Sequence, residues 1–119
     1  MFFKKLTGDK GESFACDFLK KKGLTIVERN FRTNLGEIDI IARDGETLIF
    51  VEVKTRSSRK FGDPQEAVNS HKQHTIRNVA TCYLKKKNLL DKISVQFDCL
   101  ALIVNDENSF EVEHIENAF

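Results

Sequence analysis

Four charged residues interrupt segments of the sequence that are otherwise apolar. Glu37 and Asp39 lie in the run Glu-Ile-Asp-Ile-Ile, and Glu52 and Lys54 lie in the run Val-Glu-Val-Lys. If each run is a β-strand, residues two apart share a face, so each pair projects to one side. Because an unpaired buried charge is costly, these side chains either form a surface ion pair at a solvated end of the hairpin or serve a function.

The functional interpretation of these charges is a metal site for phosphodiester hydrolysis. Carboxylate oxygens are hard ligands that hold Mg²⁺ together with several waters. The metal would polarise a phosphoryl group and lower the pKa of its bound water. A lysine beside it would place positive charge near the developing pentavalent phosphate and orient the attacking water. Asp39, Glu52 and Lys54 are the candidates for these roles.

Five strands and two helices are predicted to position these residues. Apolar periodicity predicts strands over 24–33, 37–43, 47–55, 93–104 and 109–115, and helices over 9–22 and 63–87. Asp44-Gly45 is a strong hairpin signal, so the second and third strands should be antiparallel neighbours whose charges converge at one end. The order α-β-β-β-α-β-β predicts an α/β fold with a mixed sheet flanked by helices.

Glu12 has two interpretations that make different demands on the first helix. Asp9 is a good N-cap, and Glu12 three residues later completes a capping-box pattern. Glu12 also shares a helical face with Ala15 and Leu19, which should face the sheet. On the second interpretation, Glu12 is a further carboxylate of the site.

Basic and polar residues after Lys54 are candidates for binding a phosphate backbone. Arg56, Arg59 and Lys60 belong to a basic loop, which is either a solvated segment or a backbone clamp. Gln65 and Lys72 fall on one stripe of the second helix, whose predicted start is the Asp-Pro-Gln-Glu segment. A lysine on such a stripe either snorkels or reaches, with Gln65, over the site.

Composition limits the class of protein. The chain has 119 residues, 40% apolar and 31% charged, and a net charge of +1, which fits one globular domain over 1–119. No apolar run is long enough to cross a membrane, and the N-terminus does not look like a secretory signal. The three cysteines, Cys16, Cys82 and Cys99, form no CxxC pair. They predict buried free thiols in a reducing compartment, the cytoplasm, and disfavour a zinc site.

Several strings of residues resemble a known family. Asp39, twelve intervening residues, then Glu52-Val53-Lys54 is similar to the PD-(D/E)XK nuclease motif. Over nearly the whole chain, the sequence resembles the YraN family of bacterial predicted endonucleases, in the segments 8–12, 36–41, 51–56, 62–68 and 114–119 and at Lys72. The resemblance implies a restriction-endonuclease-like core, similar to that of archaeal Holliday junction resolvases. One departure is Gln96, where similar proteins often have arginine.

The resemblance also implies roles for individual residues. Asp39 and Glu52 would be ligands of Mg²⁺ or Mn²⁺, Lys54 the catalytic lysine, and Glu12 a glutamate that approaches the same metal. Glu37 is ambiguous and is a candidate for contacting the ligand residues rather than the metal itself. The three histidines are interpreted as surface or structural residues. The implied partner is nucleic acid, most readily DNA, and a homodimer is left open. Two hypotheses remain: an endonuclease acting on branched or flapped DNA, or a nucleic-acid-binding module without turnover.

Overall fold

A computed structural model describes residues 2–56, 68–104 and 110–119, without the side chains of residues 2–10 and 110. The elements, in chain order, are α1 (Phe2–Lys21), β1 (Thr25–Thr33), β2 (Gly36–Asp44), β3 (Thr47–Arg56), α2 (Ser70–Lys86), β4 (Ser94–Val104) and β5 (Phe110–Ile115). The predicted α/β fold and its order of elements are therefore confirmed.

The five strands form one mixed sheet in the order β1-β2-β3-β4-β5. All neighbouring pairs are antiparallel except β3 and β4, which are parallel and are connected through α2. Asp44 pairs with Thr47, so the loop between β2 and β3 consists of Gly45 and Glu46, one residue later than the sequence signal suggested. β3 lies at the centre of the sheet, as its apolar run predicted.

Alternation along β3 sends its side chains into two apolar clusters on opposite faces of the sheet. Leu48 and Phe50 pack in the cluster that contains the buried side of α2, whereas Ile49 and Val51 pack in the cluster that contains α1. Glu52 and Lys54 continue the series of Leu48 and Phe50. They therefore project from the face that α2 covers, beyond the end of its apolar core.

The first helix begins earlier than the sequence indicated. α1 starts at Phe2, so Asp9 and Glu12 lie inside the helix and the predicted capping box is wrong. The residues before Asp9 include lysine and leucine, which are good helix formers and extend the helix upstream. Its C-terminal end agrees with the prediction. Gly23 has a left-handed φ of 96°, and the backbone N–H of Leu24 donates to the Leu19 carbonyl at 3.1 Å.

The second helix begins later than the sequence indicated. Asn69 is the N-cap of α2, and its side chain accepts a hydrogen bond from the Lys72 backbone N–H at 2.9 Å. Val68 precedes this cap, so a helix running from residue 63 through Val68 is wrong. Residues 63–66 themselves lie outside the described residues. An asparagine cap satisfies the orphan amides of a first turn directly, and it places Lys72 one turn before the buried Ile76.

The cysteines are all free thiols, but they differ in burial. Cys16 and Cys99 are buried, whereas Cys82 is only half-buried, so the prediction of three buried thiols was wrong at Cys82. Cys82 lies on α2 beside the buried stripe rather than within it. In the described parts of the chain, neither helix combines the length and the apolar composition needed to span a membrane.

Gly36 lets α2 approach the start of β2 closely. Its φ is 153°, and a Cβ atom placed on it would lie 2.7 Å from Thr75 Cγ2 and 3.5 Å from Val79 Cγ2. A distance under 3.0 Å cannot persist without movement of the helix or the side chain. The absence of a side chain at Gly36 therefore sets the distance between α2 and the strand that carries Asp39.

We expect Gly36→Ala to lower the free energy of unfolding by about 1–3 kcal/mol, the usual cost of overpacking. Thr75→Ser removes the Cγ2 atom that the new Cβ would meet, so the double variant should recover part of the loss. Urea unfolding of the two single variants and the double variant gives the coupling. Strictly additive effects would contradict a clash between these two positions.

Candidate active site

Asp39 lies where the ladder between β2 and β3 ends. The last backbone pair is Ile40 with Val51, and beyond it the Asp39 Oδ2 atom accepts a hydrogen bond from the Val53 N–H at 2.8 Å. A side chain thus replaces a backbone acceptor and attaches Asp39 to the strand that carries Glu52. The structure brings together the two carboxylates that the sequence placed on neighbouring strands.

Glu52 is a buried carboxylate with little compensation. Its side chain is 4% exposed, and among the described residues no donor is oriented to hydrogen bond with Oε2. Two ammonium groups approach this same oxygen, Lys72 Nζ at 3.2 Å and Lys54 Nζ at 3.8 Å. Both lysines are more than one-third exposed. The buried negative charge of Glu52 is therefore balanced by two partly exposed ammonium groups.

The pKa of Asp39 reflects its environment. Burial, a hydrogen bond with Glu52 and the negative charge of Glu52 together raise the pKa of Asp39 to about 7. The Val53 N–H and the positive charge of Lys72 act in the opposite direction. Two carboxyl groups so close together cannot both ionise cheaply unless a cation joins them.

The remaining candidates for phosphate binding are only partly described. Arg56 is the last residue of β3 and lies two positions beyond Lys54, on the same face of the strand. Lys72 contacts Glu52, as described above. Arg59, Lys60 and Gln65 lie outside the described residues.

Glu12 is engaged with β1. Its Oε1 atom accepts hydrogen bonds from Arg29 Nη2 at 3.1 Å and from Asn30 Nδ2 at 2.7 Å. Asn30 has a φ of 54°, a left-handed conformation that asparagine tolerates better than most residues. Sequence reasoning missed both partners of Glu12. The one available signal was an asparagine inside a strand-like segment, where it is a poor strand former.

Glu37 does not join the carboxylates of Asp39 and Glu52. It forms an ion pair with Arg32 across β1 and β2, at 2.8 Å between Oε2 and Nε, and its side chain is 45% exposed. Such an exposed pair contributes little to stability. Glu37 is therefore a useful comparison for Asp39, since both are acidic residues of the same strand in very different surroundings.

The donor set of Asp39 and Glu52 fits a hard divalent cation. The two side chains supply carboxylate oxygens in close proximity, and Glu52 Oε2 is buried without a hydrogen-bond donor directed at it. A divalent ion would satisfy this oxygen and remove the repulsion between the carboxylates. Glu12 is not part of such a compact group. In the described ranges, the only set of three or more ligand atoms within 4.8 Å of one another lies elsewhere.

That other set consists of Asp98, His114 and Glu116. Asp98 is fully buried on β4 and accepts hydrogen bonds from Gln96 Nε2, His114 Nε2 and the Asn117 backbone N–H at 2.8–3.0 Å. Burial alone would raise its pKa, but these hydrogen bonds outweigh burial and hold the pKa of Asp98 below its usual value. The carboxylate is thus already satisfied by protein donors.

His114 is also satisfied within this network. The Lys22 ammonium lies 2.7 Å from His114 Nδ1, so this nitrogen accepts while Nε2 donates to Asp98. A metal at His114 would have to displace Asp98 or adjoin the Lys22 cation. The geometry favours a structural role for His114. Asp98 itself was missed, although an aspartate within an apolar strand was a signal for a buried partner. Gln96, noted as a departure from similar proteins, supplies one of its donors.

Comparison with known proteins identifies one family. The model of "Uncharacterised protein family UPF0102" matches residues 11–102. A UPF0102 protein of Geotalea uraniireducens is 48% identical over 97% of this chain and 90% of its own length. Similar proteins occur in Clostridium botulinum, at 45% identity over 94% and 92%, and in Geobacter sulfurreducens, at 44% identity over 97% and 89%. The matched segment includes Asp39, Glu52, Lys54 and Lys72, but ends before His114.

The raised pKa of Asp39 predicts an unusual dependence of stability on pH. The native state binds this proton more tightly than the unfolded state, so the contribution of Asp39 to stability falls as pH rises from about 4 to about 7. Asp39→Asn keeps an acceptor for the Val53 N–H but removes the charge. In EDTA at pH 8, we expect this variant to melt above the wild type by about 4 °C, equivalent to roughly 1 kcal/mol. The difference should shrink at pH 5, and an equal difference at both values would contradict the assignment.

The network around Asp98 predicts that a substitution on β5 will destabilise the fold. His114→Ala leaves the buried Asp98 carboxylate without its histidine donor and should cost about 1–3 kcal/mol, as for a buried acceptor that loses one donor. Denaturant unfolding measures the loss. Neither EDTA nor added Zn²⁺ should change the wild-type midpoint through this site. If Zn²⁺ raises the wild-type midpoint and not that of His114→Ala, the cluster binds metal.

Proposed function

This chain belongs to the UPF0102 family, and we propose that it is a metal-dependent endonuclease that hydrolyses phosphodiester bonds in DNA. The observation that carries the proposal is the pair of close carboxylates, Asp39 and Glu52, with Lys54 beside them. A buried glutamate with a second, half-buried carboxylate beside it is costly for a protein that makes no use of the pair. The resemblance of the motif Asp39…Glu52-Val53-Lys54 to the PD-(D/E)XK nuclease motif supports the same chemistry.

Asp39 and Glu52 are the proposed ligands of Mg²⁺ or Mn²⁺. When bound, the metal would polarise a phosphoryl oxygen and lower the pKa of a coordinated water. The protein's own part is to hold the ligands in place. Asp39 is fixed by its hydrogen bond to the Val53 N–H, and the β3 backbone holds Glu52 opposite it. Such preorganisation avoids rearrangement during the reaction.

Lys54 is the proposed catalytic lysine. It follows Glu52 by two positions, so both side chains project from the same face of β3, and its ammonium lies 3.8 Å from the Glu52 carboxylate. Its side chain is 35% exposed, which leaves the ammonium able to reach a phosphate that enters from solvent. There it would stabilise negative charge on the phosphorane and orient the attacking water.

Glu12 is proposed as a further metal ligand. Its side chain is 24% exposed and lies against β1, next to the strand that carries Asp39. Because α1 covers the face opposite to that from which Asp39 and Glu52 project, Glu12 would have to reach the metal past the end of the paired strands. It would also exchange at least one of its contacts with Arg29 and Asn30 for the ion. These contacts would then hold the carboxylate close to the sheet before the metal arrives.

The proposed nucleic-acid surface consists of basic and polar residues that follow the site in the chain. Arg56, Arg59 and Lys60 would contact the phosphate backbone without reading sequence, and Gln65 and Lys72 would reach over the scissile phosphate. Branched or flapped DNA is the proposed substrate class. A homodimer and a cytoplasmic location stay predictions.

Cleavage assays test the proposal directly. The wild type should cut one or more members of a panel of single-stranded, duplex, flap and four-way-junction DNA in Mg²⁺ or Mn²⁺, and EDTA should abolish cutting. Lys54→Ala should lower turnover by about 10²–10³-fold, the scale of losing one group that stabilises transition-state charge. DNA affinity should change little, because Lys54 acts on the transition state.

The matched control for the ligands is Glu37→Gln. It removes a carboxylate from the same strand as Asp39, but one that pairs with Arg32 instead of approaching Glu52. Glu37→Gln should therefore leave cleavage unchanged, whereas Asp39→Asn should abolish it. If the wild type binds DNA tightly but cleaves it with no metal, the proposed endonuclease activity is wrong and a nucleic-acid-binding module is favoured. Cleavage by Asp39→Asn at the wild-type rate would place the reaction elsewhere.

A further inference from the structure

We infer that Lys72 is a positioning residue that acts as an internal counterion for Glu52, and that a divalent cation bound by Asp39 and Glu52 displaces it. The inference rests on the proposed metal site and adds to it an exchange between two cations. It also implies that Lys72 can bind a DNA phosphate only when the metal is bound, because the ammonium is then released from Glu52.

The first support is the requirement of the Glu52 carboxylate. It is 4% exposed, and its Oε2 atom has the Lys72 ammonium at 3.2 Å but no hydrogen bond directed at it by a described residue. A buried carboxylate needs a nearby cation, and Lys72 is closer to it than Lys54. The contact balances charge without the directed hydrogen bonds of a permanent buried ion pair. It is therefore suited to replacement.

The second support is the position of Lys72 on its helix. It lies in the first turn of α2, where the helix dipole disfavours a cation, and this turn contains no acidic residue. Nothing on its own helix therefore attracts the ammonium, whereas Glu52 on β3 does. The Asn69 cap holds the Lys72 backbone N–H at 2.9 Å, so the base of the side chain is fixed while its four-carbon stem can move.

The third support is the access of the ammonium to solvent. The Lys72 side chain is 40% exposed although its partner is buried. A divalent ion at Glu52 would neutralise the same oxygen and repel an ammonium a few ångströms away. Lys72 can respond by turning outwards, toward the face that DNA phosphates would approach. By linkage, a cation that displaces Lys72 pays for breaking its contact with Glu52, so removing Lys72 should strengthen metal binding.

Calorimetry with Mn²⁺ in the absence of DNA tests the exchange. Lys72→Met, which keeps the length of the side chain without its charge, should bind Mn²⁺ about fivefold more tightly than the wild type, the upper range for a half-exposed ion pair. The matched control is Lys85→Met, which removes one exposed lysine about 20 Å further along the same helix. It should bind Mn²⁺ like the wild type. Lys72→Arg, which keeps a cation near Glu52, should also behave like the wild type.

Thermal unfolding supplies a readout that a merely neighbouring charge would not move. In EDTA, Lys72→Met should melt below the wild type, because Glu52 has lost its counterion. In saturating Mn²⁺ the two proteins should melt together, because Lys72 no longer contacts Glu52 in either. A difference that persists unchanged in Mn²⁺ would overturn the exchange, as would equal Mn²⁺ affinity of Lys72→Met and Lys85→Met.

Asp39→Asn separates failure of the inference from failure of the proposed site. If the wild type binds Mn²⁺, Asp39→Asn does not, and Lys72→Met binds no more tightly than Lys85→Met, the metal site stands and the exchange is wrong. If Asp39→Asn binds Mn²⁺ as the wild type does, the proposed ligands are wrong and the exchange fails with them.

Discussion

Glu52 holds a carboxylate in the interior of the protein, and much of the surrounding structure answers to that charge. It belongs to the central strand between the apolar residues Val51 and Val53, and it lies where the ladder between β2 and β3 ends and cations can reach it. Lys54 and Lys72 approach it from two different elements. Asp39 joins it from a third and shifts its own pKa upward in doing so. Without the Glu52 carboxylate, the two lysines would lose the charge that they approach.

Close packing sets how near these elements can come. Gly36 begins β2 directly beneath Thr75, so α2 rests against the strand that leads to Asp39. The same helix covers Phe50 with Ile76 and Val79, and one turn earlier it carries Lys72 to Glu52. Packing of the apolar core thus sets the distance between Lys72 and the carboxylates. A shift of α2 that disturbed the core would also move a charge at the carboxylates.

Features that depend on neighbouring residues were predictable from the sequence, and features that depend on distant ones were not. Alternation around Glu52 and the Asp44-Gly45 hairpin are local signals, so the sheet and the convergence of Asp39 with Glu52 followed from them. The helix starts were wrong because several residue types can cap a helix, and Asn69 rather than an upstream residue does so. The Asp98–His114 pair joins two strands, and no spacing rule could identify it.

The parallel pairing of β3 with β4 has a consequence for the order of folding. β1, β2 and β3 are joined by short connections and can pair through contacts close in sequence, within about 1–10 μs per hairpin. The β3–β4 pairing must wait for a long crossover to close, and α2 arrives with it. We therefore expect Asp39 and Glu52 to meet first, while water still screens them. When α2 packs and removes that water, it brings Lys72 in the same step. The folding chain then does not pass through a state in which the two carboxylates are desolvated without a counterion.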